Sequence, residues 1–294
     1  MFEQLGLIGC GLMGGSFALA LKRAGWVQRV VGYSKSPSTT ARALQLGVID
    51  VEAPSALLAV SGADIVLLAV PVAATEDTLR AIRHMVSETT LVMDVGSTKA
   101  DVVAAAERAL REQVSSFVPA HPIAGKECAG VEHADAALYQ GCKVILTPTA
   151  LTRARQVEQA QALWRALGAQ VITLTPQAHD AAFAVVSHLP HLLAFAMMNT
   201  VLAQPNAAQL LALAGPGFRD FTRIAAGEPS VWRDIFLANR TELLAQCGQL
   251  QAQLQSLESL LRAGDPQALY DAIARASAAR AGWQLNTSSA HAQD

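Results

Sequence analysis

Leu5-Gly6-Leu7-Ile8-Gly9-Cys10-Gly11-Leu12-Met13-Gly14-Gly15-Ser16 is the stretch whose reading decides the fold. An apolar run is followed by a GxGxxG pattern and then by the helix-forming Phe17-Ala18-Leu19-Ala20-Leu21. Three glycines at this spacing mean little alone. Between a strand and a helix they predict a turn that cradles the pyrophosphate of a dinucleotide. Gly9 permits the tight turn, Gly11 lets the backbone approach the phosphates, and Gly14 lets helix and strand pack closely. The phosphates then meet the N–H groups that Leu12 and Met13 bring to the helix N-terminus.

The same alternation continues outward. Apolar runs QLGLIG, RVVGY, DIVLLAV, TLVMDV, SFVPAH, KVILT and QVITL read as strands. Helical patterns at 14–25, 38–46, 73–86, 99–114 and 152–167 separate most of them. This predicts an α/β Rossmann-type doubly wound sheet over residues 1–174. Beyond it the chain turns rich in Ala, Leu and Gln, with breaks near 204–206, 215–217, 227–229 and 264–266. Residues 175–294 therefore read as an all-α substrate and dimerisation domain.

Composition narrows the partners. The chain has 294 residues and a net charge of −2, so no basic excess points to nucleic acid. Its four cysteines, Cys10, Cys128, Cys142 and Cys247, form no CxxC pair, which excludes a disulfide framework or zinc site by pattern. The N-terminus lacks the basic and apolar regions of a signal peptide, so the cytoplasm is the expected compartment. Residues 181–218 carry no Asp, Glu, Lys or Arg. About 20 apolar residues span a bilayer, but Ser187, His188, Pro190, His191 and Asn199 interrupt this stretch. It is expected to be a subunit-interface helix, with no membrane as partner.

The second strand ends in Gly32-Tyr33-Ser34-Lys35-Ser36, where NAD-binding chains usually place an acid for the ribose 2′-hydroxyl. Ser34, Lys35 and Ser36 instead suit a 2′-phosphate, so the cofactor is NADP or NAD, with NADP accepted. Val70 and Pro71 close the next long strand and should lie beside the cofactor. Ser97, in DVGSTK, stands where a strand gives way to a helix, as an N-cap or as a hydroxyl near the nicotinamide. His121, in Ala120-His121-Pro122, stands at another strand end. There it caps a turn or accepts a proton as a neutral base. His188 and His191 are spaced to share a helix face and read as substrate contacts or as structural hydrogen bonds; with no third ligand, no metal is expected. Arg219 suits a substrate carboxylate. Arg223 reads as a second substrate arginine or as a local partner of Asp220 or Glu228.

Five motifs in order carry a resemblance: GxGxxGGS at 9–16, DVGSTK at 94–99, HPIAGKE at 121–127, SHLPH at 187–191 and GFRDFTRIA at 217–225. Together they make the chain similar to the prephenate/arogenate dehydrogenases of tyrosine biosynthesis. The resemblance implies a nucleotide-binding domain, a helical domain that forms a homodimer, and oxidative decarboxylation of prephenate to 4-hydroxyphenylpyruvate. It implies His121 as the catalytic histidine at the ring C4 hydroxyl, with Ser97 assisting. Arg219 would grip a carboxylate, His188 and His191 would line the pocket, and Glu127 would sit at its entrance. Ser34 departs from the acid many relatives carry, so NAD specificity is not inherited. The chain leaves no room for a fused chorismate mutase or a C-terminal regulatory domain, so any inhibition by tyrosine is expected near the active site.

Arogenate is the alternative substrate. The glycine-rich start also resembles β-hydroxyacid dehydrogenases, but no lysine follows Lys143 to serve as their catalytic residue. A non-catalytic NADP-binding protein is the remaining reading.

Overall fold

The computed structural model describes residues 1–125 and 128–284. Six strands form a parallel sheet: β1 (Phe2–Ile8), β2 (Val27–Tyr33), β3 (Val51–Glu52), β4 (Ile65–Leu68), β5 (Leu91–Asp94) and β6 (Phe117–Val118), in the order β3-β2-β1-β4-β5-β6. Helices α1 (Leu12–Arg23), α2 (Pro37–Gln45), α3 (Ala56–Val60), α4 (Thr75–Ile82) and α5 (Ala100–Leu110) connect them. The order reverses between β1 and β4, so the ligand crevice of this doubly wound fold opens at their carboxyl ends. Leu5, Leu7, Ile65 and Leu67 are fully buried, as strands covered on both faces require.

The run SFVPAH, read as one strand, is two. Pro119 has no N–H to donate to a ladder, and the chain changes sheets there. β6 ends at Val118, and β7 (Ala120–Ile123) opens a second sheet with β8 (Lys143–Leu146) and β9 (Gln170–Thr173). β7 and β8 are antiparallel, β8 and β9 parallel, with α6 (Ala154–Ala166) between the latter two. Phe17, Tyr139 and Trp164 lock this sheet to α1, the Trp164 ring lying 5.0 and 5.1 Å from the other two. The Tyr139 hydroxyl donates to the Met13 carbonyl at 2.7 Å. The glycine loop is thereby braced from behind. Short β3 and α3 were not legible as periodic runs.

The remainder is helical: α7 (Pro176–Phe183), a π-turn (Ala184–His188), α8 (Leu189–Leu202), α9 (Ala207–Ala212), α10 (Pro216–Thr222), α11 (Pro229–Ala238), α12 (Arg240–Ala263) and α13 (Pro266–Gly282). Gly264, at φ +62, ends α12, and the Asp265 carboxylate caps α13 by accepting from Gln267 and Ala268 N–H. The continuous segment Pro176–Leu202 is long and apolar enough to cross a membrane, yet only 17% of its most apolar window is buried within this chain. His179 and Asp180, near its start, fasten it to the first domain (below). Val186, Leu202, Leu254 and Leu261 leave a broad apolar face exposed.

Candidate active site

The three loop glycines divide their roles as the spacing predicts. Gly9 has φ +97, and a Cβ there would lie 2.2 Å from the Ala69 carbonyl oxygen. A Cβ on Gly14 would lie 2.1 Å from the Gly9 oxygen and 2.9 Å from a Leu7 methyl. Around Gly11 nothing approaches within 4 Å, and no side chain caps the N-terminus of α1. An open cradle against an uncapped helix end fits a pyrophosphate. Gly11→Ala is therefore expected to leave the melting temperature within about 1 °C while weakening dinucleotide binding at least about tenfold. Gly9→Ala should cost at least about 2 kcal/mol of stability by strain and clash. Calorimetry and a dinucleotide titration on both variants check this; equal melting temperatures for the two would contradict it.

At the end of β2, the Ser34 hydroxyl accepts the Cys10 N–H at 2.8 Å. That hydroxyl is committed to holding the glycine loop, a role its position in sequence does not reveal. Lys35 and Ser36 are exposed at the start of α2. Asp50, the first acid after this strand, is spent on Lys22 at 2.6 Å and on the Val30 N–H at 2.8 Å. Val70 is half-buried and Pro71 exposed at the carboxyl edge of the sheet.

His121 sits on β7, two residues past the strand break. It is buried, and its Nδ1 lies 2.8 Å from Nε2 of His179 on α7. Phe183 stacks on His179 at 4.4 Å and tilts over His121 at 4.8 Å between ring centroids. His179 Nδ1 in turn bonds Asp180 Oδ1 at 2.7 Å. Burial first, then the neighbouring His179, Lys99 and His188, holds the His121 pKa well below the ordinary histidine value. Burial likewise lowers His179 despite the Asp180 hydrogen bond. Burial pushes Asp180 up, but the His179 bond and the N–H groups of Ala100 and Lys99 outweigh it, so its carboxyl stays below the ordinary range. These environments favour the neutral imidazoles and the charged carboxylate.

A second buried cluster positions His121 from the other side. Lys99 is fully buried and its Nζ donates to the Asp94 carboxylate. Lys99 Nζ also donates to the Ala120 carbonyl at 2.9 Å, while Asp94 Oδ1 accepts the Ala120 N–H at 3.0 Å. The pair grips both backbone groups of the residue preceding His121. Asp94 Oδ2 also accepts the Gly96 N–H at 2.8 Å, shaping the turn that carries Ser97.

Ser97 is half-buried and is not the N-cap of α5. Lys99 holds that position, and Asp180 supplies the capping carboxylate from the helical domain, accepting the Lys99 and Ala100 N–H groups at 2.8 and 2.9 Å. The Ser97 hydroxyl makes no hydrogen bond among the described residues. His188 and His191 do not face one partner. Asn239 Nδ2 donates to the Asp180 carbonyl at 2.8 Å and to His188 Nδ1 at 3.0 Å, which puts the His188 proton on Nε2, towards the Ser97 backbone. Burial chiefly pushes the His188 pKa down to about 4. His191 Nδ1 donates to the Ser187 carbonyl at 2.9 Å, and its ring stacks on Trp232 at 3.5 Å. The helix irregularity falls before Pro190, in the π-turn, because proline cannot donate back to the preceding turn.

Arg219 is not held free for a carboxylate. Its side chain is 75% exposed and its Nε donates to Asp220 at 3.1 Å. Such an exposed pair is worth little and is readily exchanged. Arg223 heads a short 3-10 turn packed against α8. Glu127 lies outside the described residues. His179, Asp180, Asp94, Lys99 and Asn239 were not singled out from sequence. The only available signal was an acid, Asp180, standing at the edge of the uncharged segment.

A glycine cradle at a topological switch point and a buried histidine on β7 fit a nicotinamide-dependent oxidoreductase. Residues 17–173 match the model described as prephenate dehydrogenase, nucleotide-binding domain, and residues 175–275 the model described as prephenate dehydrogenase, dimerization domain. The chain belongs to the prephenate dehydrogenase family. It is 35% identical to a prephenate dehydrogenase of Bacillus subtilis over 272 residues, covering 92% of this chain and 73% of that one. It is 32% identical to a cyclohexadienyl dehydrogenase of Zymomonas mobilis, covering 95% and 96% of the two chains. Its fold matches a crystal structure of prephenate dehydrogenase from Aquifex aeolicus in complex with hydroxyphenyl propionate and NAD+. The TM-score there is 0.89 at 36% identity, covering 95% and 97% of the two chains.

Proposed function

We propose that this chain catalyses the oxidative decarboxylation of prephenate to 4-hydroxyphenylpyruvate, with NADP or NAD as oxidant and arogenate as the alternative substrate. The observation that carries the reading is His121, buried on β7 just past the end of β6 and clamped through Ala120 and His179. The dinucleotide, when bound, supplies the hydride acceptor. Gly9, Gly11, Gly14 and the Leu12 and Met13 N–H groups hold its pyrophosphate, with Val70 and Pro71 beside it. His121 takes the C4 hydroxyl proton as C4 is oxidised, the ring carboxylate leaves as carbon dioxide, and the ring becomes aromatic. Ser97, with its hydroxyl uncommitted, assists at that oxygen. His188, whose Nε2–H lies beside the Ser97 backbone, lines the pocket in this reading. Arg219 and Arg223 stand one helical turn apart for the substrate carboxylates, as charge-assisted bonds require. His191 and Glu127 complete the pocket in this reading.

The apolar face of Pro176–Leu202 and α12 is covered by a second copy of the chain. Its low burial within one copy supports this, as does the dimerization-domain match.

Reduced-nicotinamide formation with prephenate and arogenate, each with NAD and NADP, tests the reaction. Turnover in any pairing supports it, and silence in all four would sink it. Lys35→Ala is expected to raise KM for NADP about tenfold, the worth of one charged phosphate contact, and to leave NAD within about twofold. An unchanged KM for NADP would remove Lys35 from the cofactor site.

A further inference from the structure

From His121 to the backbone of α5 runs a chain of three side chains, His121, His179 and Asp180, whose hydrogen-bonding roles are forced from one end. Asp180 is an acceptor only: its two oxygens take the Lys99 and Ala100 N–H groups, and Oδ1 also faces His179 Nδ1 at 2.7 Å. His179 must therefore carry its proton on Nδ1. A neutral imidazole protonated there has a lone pair on Nε2, and that atom faces His121 Nδ1 at 2.8 Å. A second lone pair at that distance would repel it, so His121 Nδ1 carries a proton and donates.

We infer that Asp180 and His179 are positioning residues that lock His121 in the Nδ1–H tautomer, leaving its Nε2 lone pair as the proton acceptor of the reaction. The partner of one ring nitrogen decides the state of the other. When Nε2 takes the substrate proton, the O–H bond breaks and an N–H bond forms. The resulting imidazolium then donates more strongly to His179, with the Asp180 carboxylate behind it. His121 belongs to the sheet domain and the other two to the first helix of the helical domain. The catalytic tautomer is thus set across the domain junction. Asn239 steadies the arrangement by donating to the Asp180 carbonyl.

This inference rests on His121 being the base, so its test has a readout independent of turnover. Nitrogen-15 shifts of the His121 ring, measured on the whole protein with NADP bound, are expected to show the Nδ1–H tautomer. His179→Phe, which cannot accept the bond, should lower kcat about 10²- to 10⁴-fold, the usual span for acid–base catalysis, with KM within about threefold. His179→Gln, whose amide oxygen can accept it, should recover at least about tenfold of that loss. Dinucleotide affinity reports that each variant is folded. An Nε2–H tautomer in the parent, or kcat within about threefold of it in His179→Phe, would each overturn the lock. A parent that turned over neither prephenate nor arogenate would fail the base assignment instead, and the ring shifts would still decide the tautomer.

Discussion

Replacing His121 by Asn is expected to lower kcat about 10³- to 10⁴-fold, at the upper end for loss of a general base, with KM for the substrate nearly unchanged. Asparagine keeps a polar group of similar reach but cannot take up a proton at neutral pH. The native Nδ1 contact to His179 is geometric and partly reproducible by an amide, so binding survives while chemistry does not. The pH dependence of the parent follows in sign. A base works in its neutral form, and burial with cationic and imidazole neighbours favours that form at His121. The charged and titratable groups around it are His179, Lys99 and His188, with Asp180 behind His179 and Asp94 behind Lys99. Activity in kcat/KM should therefore stay level as pH falls through the usual histidine range near about 6.5 and drop only below it. A limb centred at or above that value would contradict the burial, and near-full turnover in His121→Asn would remove the mechanism.

The second large effect lies away from the reacting atoms. Lys99→Met should destabilise the fold by about 3–5 kcal/mol, because it strands the Asp94 carboxylate in a buried site. The penalty is the uncompensated charge rather than the worth of the pair, so Asp94→Asn added to Lys99→Met should recover part of it. Thermal melts at fixed protein concentration would show the single variant falling by roughly 10 °C. The same variant should lose turnover, since the Ala120 carbonyl loses its Lys99 donor immediately before His121. A melting temperature within about 2 °C of the parent would mean that the pair is not buried as charges.

Much of the frame was legible in the chain because it rests on local causes. A positive φ, an apolar run of strand length and a helix that starts on glycine are properties of a few consecutive residues. Gly9, Gly11 and Gly14 behave as their spacing predicts, and the long strands and helices lie where periodicity puts them. Short elements such as β3 and α3 carry too few residues for a period to show. Ser97 lies just past β5 and His188 in the uncharged segment, as read, whereas His121, read at a strand end, lies within β7 of the second sheet.

Which partner each side chain takes was not readable. His121 meets a residue 58 positions away, and Asp180 caps a helix 80 and 81 positions before it. Pro119 splits a strand that reads as continuous, because its missing N–H matters only once a neighbouring ladder exists. Ser34 turns its hydroxyl to the glycine loop, and Arg219 pairs with its neighbour Asp220. The chain by itself determined the dinucleotide frame, since backbone freedom and hydrophobic period are written residue by residue. Only the tertiary structure decided the setting of His121, since hydrogen bonds and burial depend on which distant groups the fold brings within 3 Å.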